Sequence, residues 1–248
     1  MNNLLKAEFF KLHKSFGYKV LLAVCVCIGV IFGIVVIRNG SGARGADYAA
    51  IMGSGFLYNV VLVSVFDAGY IGSAYSNRTF AAEIACGASR RELFTAKSIV
   101  FFIAILPLIL VYDLVTICIL TVQNGFGMPW NMETIRFLTQ RIVFSILCNY
   151  SMGSCILLNA YLVKNQVAAI GSAIGSLYLL NQCCINERNP MLLKVWQFTF
   201  FYQIDSWNAS VRPMHFRVPF GTVVLSSLIA IAGMTILAGW SFQRRDLR

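Results

Sequence analysis

Hydrophobic positions along the chain form six long runs that are separated by short polar connections. The runs cover residues 19–37, 51–76, 97–121, 141–163, 166–185 and 219–241. The length of each run is close to what a helix needs to cross the hydrocarbon core of a bilayer, which is about 20 residues. Strand-like alternation, which would indicate a membrane barrel, does not recur. The pattern predicts an all-α integral membrane protein with six transmembrane helices, forming one domain over residues 1–248.

The segment before the first run has the pattern of an amphipathic helix. Its apolar residues fall on one helical stripe, formed by Leu5, Phe9, Leu12 and Phe16. Its basic residues lie away from that stripe: Lys6, Lys11, His13 and Lys14. This arrangement predicts an N-terminal interfacial helix over residues 1–18 that lies in the headgroup layer. The alternative is a segment that is merely basic and has no fixed structure.

Composition agrees with a chain that is solvated largely by lipid. Hydrophobic residues make up 58% of the sequence and charged residues 12%, with a mean hydropathy of +0.72. Soluble domains are typically about 45–50% apolar and about 25% charged. The net charge of +10 comes from basic residues that lie mainly at the ends of the apolar runs. Anionic lipid headgroups explain that charge better than nucleic acid does.

The distribution of basic residues predicts which side of the membrane each connection occupies. If the N-terminus is cytoplasmic, the inner segments hold most of the 20 Lys and Arg residues, which favours this orientation. Both termini are then inside the cell, residues 77–96 form a cytoplasmic loop and residues 186–218 form an extracellular loop. The extracellular loop is rich in Trp, Phe and Tyr, which favours short helices that lie on or dip into the outer leaflet.

Motifs for catalysis or metal binding are missing from the sequence. The two histidines, His13 and His215, are predicted on opposite faces of the membrane, and the eight cysteines include no CxxC pair. The glycine-rich residues 40–45 lack the Gly-Lys-Ser/Thr ending that binds nucleotide phosphates. We therefore expect a protein that is not an enzyme and binds no metal.

Three polar residues inside the apolar runs are candidates for a substrate path: Asp67, Asp113 and Asn149. Ionisable groups at membrane depth are costly and often functional. Asp67 is expected in the cytoplasmic half of the membrane and Asp113 nearer the outer face. Each carboxylate either faces a substrate path or forms hydrogen bonds with neighbours such as Tyr70 or Thr116, and the sequence leaves both possibilities open.

The fifth run carries a small-xxx-small face. Gly171 and Gly175 are each followed by a serine, so that a second helix could approach closely. Packing within the chain is the first interpretation, and contact with a second subunit is the alternative.

The connection between the second and third runs has the pattern of a docking element. A short helix is expected to end at Gly87, and Ser89 and Glu92 have the spacing of a capping box that would start the next helix. Arg90 and Arg91 lie at that start. A short cytosolic helix beside two arginines is suited to binding another protein.

Two stretches of the sequence resemble ABC-2-type permeases. The first is the Glu-x-x-Lys pattern of the N-terminal helix, formed by Glu8 and Lys11. The second is the inner loop, with Asn77, Thr79, Gly87, Ser89, Arg90 and Lys97. Within that superfamily the chain looks most similar to permease subunits of bacitracin-resistance and lantibiotic-immunity exporters of the bacterial cytoplasmic membrane.

The resemblance implies a division of labour between several subunits. A separate cytosolic ATPase would hold ATP and Mg²⁺ and bind the inner loop as a coupling helix, so that this chain itself binds no cofactor. The coupling residues implied are Phe80, Glu83, Gly87, Ser89, Arg90 and Arg91. A second permease chain, identical or different, would complete the membrane unit. The cargo would be amphipathic or hydrophobic, for example a peptide antibiotic, and the outer loop would act as its gate.

Proteins with two other functions would show the same hydropathy pattern. A non-transporting assembly or sensor subunit would need neither a docking helix nor a second chain. A membrane-embedded transferase is disfavoured because acidic, basic and metal-binding residues do not cluster. Copurification of an ATPase would separate a transporter from both.

Overall fold

The computed structural model describes residues 2–40, 42–52, 55–163, 165–186, 189–196, 198–200, 202–204 and 220–244. Regular structure in these ranges is helical. Helices α1 to α11 are, in chain order, Asn2–Lys14, Phe16–Arg38, Gly45–Ala50, Phe56–Asp67, Ser73–Ser76, Thr79–Ala85, Arg90–Asn124, Met132–Leu162, Gln166–Ile185, Pro190–Trp196 and Phe220–Arg244. A π-helical turn, Ala68–Gly72, joins α4 to α5 in one continuous helix.

Six helices in the described residues are long and apolar enough to cross a membrane: α2, the continuous α4–α5 helix, α7, α8, α9 and α11. The prediction of an all-α integral membrane protein with six transmembrane helices is therefore confirmed. Two spanning helices begin well before their apolar runs. Helix α7 begins at residue 90, whereas its run begins at 97, and α8 begins at residue 132, whereas its run begins at 141. The second span was predicted to begin at residue 51 but begins at 56, because α3 ends at Ala50 and Ile51 and Met52 form a turn.

The N-terminal helix is shorter than predicted. It ends at Lys14, and Ser15 caps the first spanning helix by accepting a hydrogen bond from the Tyr18 backbone N–H at 3.3 Å. A serine at this position satisfies a backbone donor at the start of α2 and ends α1. The boundary predicted at residue 18 is therefore wrong, and α2 begins at Phe16.

The first span packs closely on α7 through two glycines. A Cβ atom at Gly29 would lie 2.9 Å from the Tyr112 carbonyl oxygen, and one at Gly33 would lie 3.0 Å from Ile119. Small residues let two helix backbones approach where the surrounding lipid supplies no hydrophobic driving force. The pair α2 and α7 thus forms one side of the bundle, and α7 also contacts α1 and α3.

The connections that contain α3 and residues 125–131 fold over this side of the bundle. The backbone N–H groups of Gly45 and Ala46 donate to the carbonyls of Gly125 and Phe126, at 3.2 and 2.8 Å. At the other end of α3, the Arg141 guanidinium donates to the Ala50 carbonyl at 2.6 Å. These bonds fix α3 against α7 and α8.

The fourth and fifth spans form a tight helical hairpin. Helix α8 ends at Leu162 and α9 begins at Gln166. The Asn165 side chain caps α9 by accepting hydrogen bonds from the backbone N–H groups of Val167 and Ala168, at 3.0 and 3.3 Å. Lys164 lies outside the described residues.

The described part of the 186–218 connection enters the bundle. It contains the short helix α10, after which Phe200 and Ile204 are buried in the main core. The Gln203 side-chain amide donates to the Ser226 hydroxyl on α11 at 2.6 Å. Residues 205–219, which include Trp207 among the aromatic residues used for the prediction, lie outside the described part.

The two glycines on the small-residue face of α9 pack against no other helix in the described part of the chain. A Cβ atom at Gly171 or Gly175 would meet no atom within 4 Å. Over the described residues, packing of these glycines within the chain, the first interpretation of the pattern, is therefore wrong.

Candidate coupling site at the α1 end of the bundle

A buried carboxylate marks the contact between the N-terminal helix and the third span. Glu8 on α1 is fully buried, and its Oε2 accepts hydrogen bonds from Lys97 Nζ at 3.0 Å and from the Tyr70 hydroxyl at 2.8 Å. Lys97 lies on α7 and is itself buried, while Tyr70 belongs to the π-helical turn. One acidic side chain thus joins three separate segments.

A second lysine extends this contact to α6. Lys11 Nζ lies 2.7 Å from Glu8 Oε1 and 2.6 Å from Glu83 Oε1. Because Glu83 lies on α6, the ion pair ties that short helix to α1. We call Glu8, Lys11, Tyr70, Glu83 and Lys97 the Glu8 network.

Glu8 and Lys11 keep their charges at neutral pH. Burial raises the pKa of Glu8, but Lys97, Lys11 and Tyr70 together lower it further, so that the pKa lies below its ordinary value. Burial lowers the pKa of Lys11, and the contacts with Glu8 and Glu83 more than reverse this effect. The Lys97 ammonium also lies over the Tyr70 ring, 5.1 Å from its centroid, which adds a cation–π attraction.

A single aromatic side chain anchors α6 to the bundle. Phe80 is 1% exposed, and its ring centroid lies 4.7 Å from that of Tyr75 and 5.0 Å from that of Phe242 on α11. On the same helix, Ala82 and Ala85 are exposed. Helix α6 therefore has one face fixed to the bundle and another that is exposed.

The turn between α6 and α7 has the geometry that its sequence predicts. Helix α6 ends at Ala85, and Gly87 has a φ of 96°, a conformation that favours glycine. The Ser89 hydroxyl accepts a hydrogen bond from the Glu92 backbone N–H at 3.2 Å and contacts the Glu92 carboxylate at 2.8 Å. Helix α7 consequently begins at Arg90.

The two arginines at this turn contact the end of the last helix. Arg90 Nη1 donates to the Gln243 carbonyl at 3.1 Å, and Arg91 Nε donates to the Gln243 side-chain oxygen at 3.4 Å. The start of α7 is thereby held against the end of α11. Arg91 is nevertheless exposed, whereas Arg90 is half-buried.

Asp67 and Asn149 are both buried, on different helices. Asp67 is the last residue of α4, directly before the π-helical turn, and its Oδ1 has no hydrogen-bond partner among the described residues. Asn149 on α8 is paired, because its side-chain oxygen accepts a hydrogen bond from the Asn59 amide at 2.9 Å. Asn149 therefore joins the second and fourth spans, a role that its sequence position alone does not reveal.

Asp113 lies in an aromatic cluster under α3. The Tyr48 hydroxyl donates to Asp113 Oδ1 at 3.5 Å, and the Tyr48 and Tyr112 rings lie 6.5 Å apart. The neighbours suggested from the sequence have other partners. Tyr70 donates to Glu8, and the Thr116 hydroxyl lies 3.0 Å from the Tyr112 carbonyl.

The charge pairs of this site are suited to transmitting movement from one helix to its neighbours. Over the described ranges, no three His, Cys, Asp or Glu side chains come together as a metal site. What the site does contain is an ion-paired junction of α1, α6, α7 and the π-helical turn, at one end of six spans. Such an arrangement defines a multi-pass membrane protein with a short helix held at the end of its bundle.

A comparison with protein families identifies the class of membrane protein. Residues 4–180 match the family described as ABC-2 family transporter protein. The chain belongs to this family, and it is a membrane permease of an ABC transporter. Permeases of this family are transport subunits without catalysis of their own, and membership implies association with ABC ATPase subunits. A search of curated proteins finds none that matches.

Proposed function

We propose that this chain is one permease subunit of an ATP-driven exporter in the bacterial cytoplasmic membrane, with both termini in the cytosol. A separate ATPase docks on residues 80–91, and ATP and Mg²⁺ are bound in that partner. ATP-driven movement of the partner is transmitted to the spans through α6. The observation that carries this proposal is the double attachment of α6.

The two attachments of α6 lead to different parts of the bundle. Phe80 inserts into the aromatic core, where Phe242 and Tyr161 surround it. Glu83 pairs with Lys11 and thereby reaches α1 and, through Glu8, Lys97 on α7. A push on the exposed face of α6 would therefore act on the core and on the interfacial helix together.

A second permease chain fits the unpacked face of α9. Gly171 and Gly175 leave a shallow surface that no other part of the described chain contacts. Small residues on such a face allow close helix contacts in lipid. We therefore propose that the transport unit contains two permease chains, identical or different.

The cargo that we propose is amphipathic or hydrophobic. A peptide antibiotic, as in bacitracin-resistance and lantibiotic-immunity exporters, is the example that the sequence resemblance suggests. The insertion of Phe200 and Gln203 into the bundle supports a gating role for the 186–218 segment. Asp67, Asn149 and Asp113 remain the candidates for a polar substrate path between the spans.

Bulky substitutions on the open face of α6 test the docking claim. Ala82→Trp and Ala85→Trp place a large ring on exposed positions, so that the permease should insert normally but lose its ATPase on copurification. Met132→Trp is the matched control, because Met132 is 79% exposed at the start of α8, far from α6 in the chain. The control should retain the ATPase and its cargo-stimulated ATP hydrolysis.

The outcomes separate the proposed functions. If the α6 variants keep a stimulated ATPase, residues 80–91 are only a connector. If no ATPase copurifies with the wild-type chain, the export proposal fails and a non-transporting assembly or sensor role is favoured.

A further inference from the structure

A groove of about 660 Å³ lies at the α1 end of the bundle, beside the Glu8 network. Helix α1 and the first turns of α2 form one side of it. The π-helical turn and the start of α9 form the other. Asp67, Asn149 and Asp113 do not line it.

The walls of the groove are apolar and open to the outside of the bundle. Leu21, Phe66 and Ile170 line its interior. At its mouth, Val20 and Val167 are 41% and 77% exposed, on α2 and α9 respectively. In a membrane, these side chains would face acyl chains, so that a hydrocarbon tail could enter between α2 and α9.

The π-helical turn forms the inner wall of the groove. Ala68, Gly69 and Tyr70 all line it. A Cβ atom at Gly69 would meet no atom within 4 Å, so that the wall is open at this residue. Single π-helical turns within α-helices are frequent at functional sites. Here the distortion coincides with the groove.

The polar end of the groove is flanked by basic residues. Lys11 and Lys97 line it and are paired with Glu8, and Lys11 is also paired with Glu83. The excess of positive charge comes from neighbouring residues. Lys14 and Lys19 are exposed on the adjoining ends of α1 and α2. A groove with apolar walls and a basic end fits an amphiphile with an anionic headgroup.

We propose that this groove binds an anionic phospholipid of the surrounding membrane. One acyl chain lies between α2 and α9, along Val20 and Val167. The phosphate lies beside the exposed part of Lys11, within reach of the basic ends of α1 and α2. The inference concerns a lipid site and does not depend on the transport proposal.

Retention of lipid by the purified chain tests the inference. The protein is reconstituted with phosphatidylglycerol or phosphatidylcholine and extracted in detergent. Native mass spectrometry then measures how much of each lipid stays bound. Wild-type protein should retain phosphatidylglycerol in preference to phosphatidylcholine. Gly69→Leu fills the groove and should lose that adduct, whereas Gly233→Leu on α11, where a Cβ also meets nothing within 4 Å, should keep it. Equal retention of both lipids, or an unchanged adduct in Gly69→Leu, would overturn the proposal.

A photo-crosslinking experiment covers the case in which Gly69→Leu fails to fold. A benzophenone side chain at Val167, in the groove mouth, should form an adduct with phosphatidylglycerol. The same side chain at Leu179 is the control, because Leu179 is 64% exposed on α9 but does not line the groove. The adduct should persist in excess inorganic phosphate. Crosslinks between two copies of the chain, or equal lipid labelling at both positions, would refute the assignment.

Discussion

The Glu8 carboxylate and the Lys97 ammonium lie 3.0 Å apart although 89 residues separate them, and both side chains are almost completely inaccessible. The pair connects the two sequence stretches that resemble ABC-2-type permeases. Glu8 belongs to the N-terminal helix, and Lys97 ends the inner-loop pattern. Their contact supports the idea that the interfacial helix and the coupling segment move as one unit.

Removing one member of this pair should destabilise the protein strongly. Glu8→Leu leaves the Lys97 charge buried, and breaking a buried ion pair in this way typically costs about 3–5 kcal/mol. The double variant Glu8→Leu/Lys97→Met removes both charges and should recover most of the lost stability. Thermal unfolding in detergent measures both.

Lys6→Gln is the control for this comparison, because Lys6 is an exposed residue of the same helix. Its effect on stability should be small. A double variant as unstable as Glu8→Leu would contradict the pairwise explanation and point to packing of the Glu8 side chain instead.

Much of the fold could be predicted from the sequence, because a helix that crosses a bilayer must be apolar and about 20 residues long. Length and hydropathy give the six spans, and Ser89 gives the start of α7 through local capping. The long-range partners could not be predicted in this way. Arg141 looks like an ordinary flanking charge in the sequence, yet it is 1% exposed and bonds to the Ala50 carbonyl of α3. Its role depends on a neighbour far away in the chain.

The same limit applies to the candidate site. Glu8 and Lys97 are recognisable in the sequence as motif residues, but nothing in either stretch shows that they form an ion pair. The glycines of α9 illustrate the opposite case. Their spacing predicts a close helix contact, and the structure shows that no helix in the described part of the chain makes it.

The orientation of the chain can be tested at two exposed positions at opposite predicted faces. In a cysteine-free background, Ser89→Cys should escape an impermeant thiol reagent in intact cells, because the α6–α7 turn is expected in the cytosol. Met132→Cys should be labelled, because α8 is expected to begin outside. Permeabilised cells provide the control, in which both should react. Labelling of Ser89→Cys alone would show that the orientation is the reverse of the predicted one. The proposed docking surface would then lie outside the cell, where a cytosolic ATPase does not reach it.

The carboxylate of Asp67 should matter for transport. It is buried beside the π-helical turn, and its Oδ1 has no partner among the described residues. Asp67→Asn keeps the shape and removes the charge, so that cargo export should fall while the amount of protein in the membrane is unchanged. Ionisable residues within spans are commonly retained for function.

Asp113→Asn is the matched comparison for Asp67→Asn. The amide oxygen that this substitution leaves in place could still accept the Tyr48 hydrogen bond, so that export should change less. Normal resistance to the cargo in cells carrying Asp67→Asn would end the functional interpretation of Asp67.

Charge reversal at the start of α7 should uncouple the permease from its ATPase. Arg90→Glu/Arg91→Glu places negative charges beside α6, where an acidic rim of the partner would repel them. Truncating or reversing charges at a desolvated contact typically costs about 2–5 kcal/mol of binding. The chain should still insert, because other basic residues remain on the same face. The ATPase should be lost on copurification.

Because both arginines contact Gln243, the charge reversal also removes a contact within the chain. Gln243→Ala separates the two effects, since it removes the side-chain partner of Arg91 and leaves both arginines in place. If docking depends on the arginines themselves, Gln243→Ala retains the ATPase while the charge reversal loses it. Equal loss in both variants would show that the arginines act by holding α7 against α11. A stimulated ATPase in both would leave the open face of α6 as the whole docking surface.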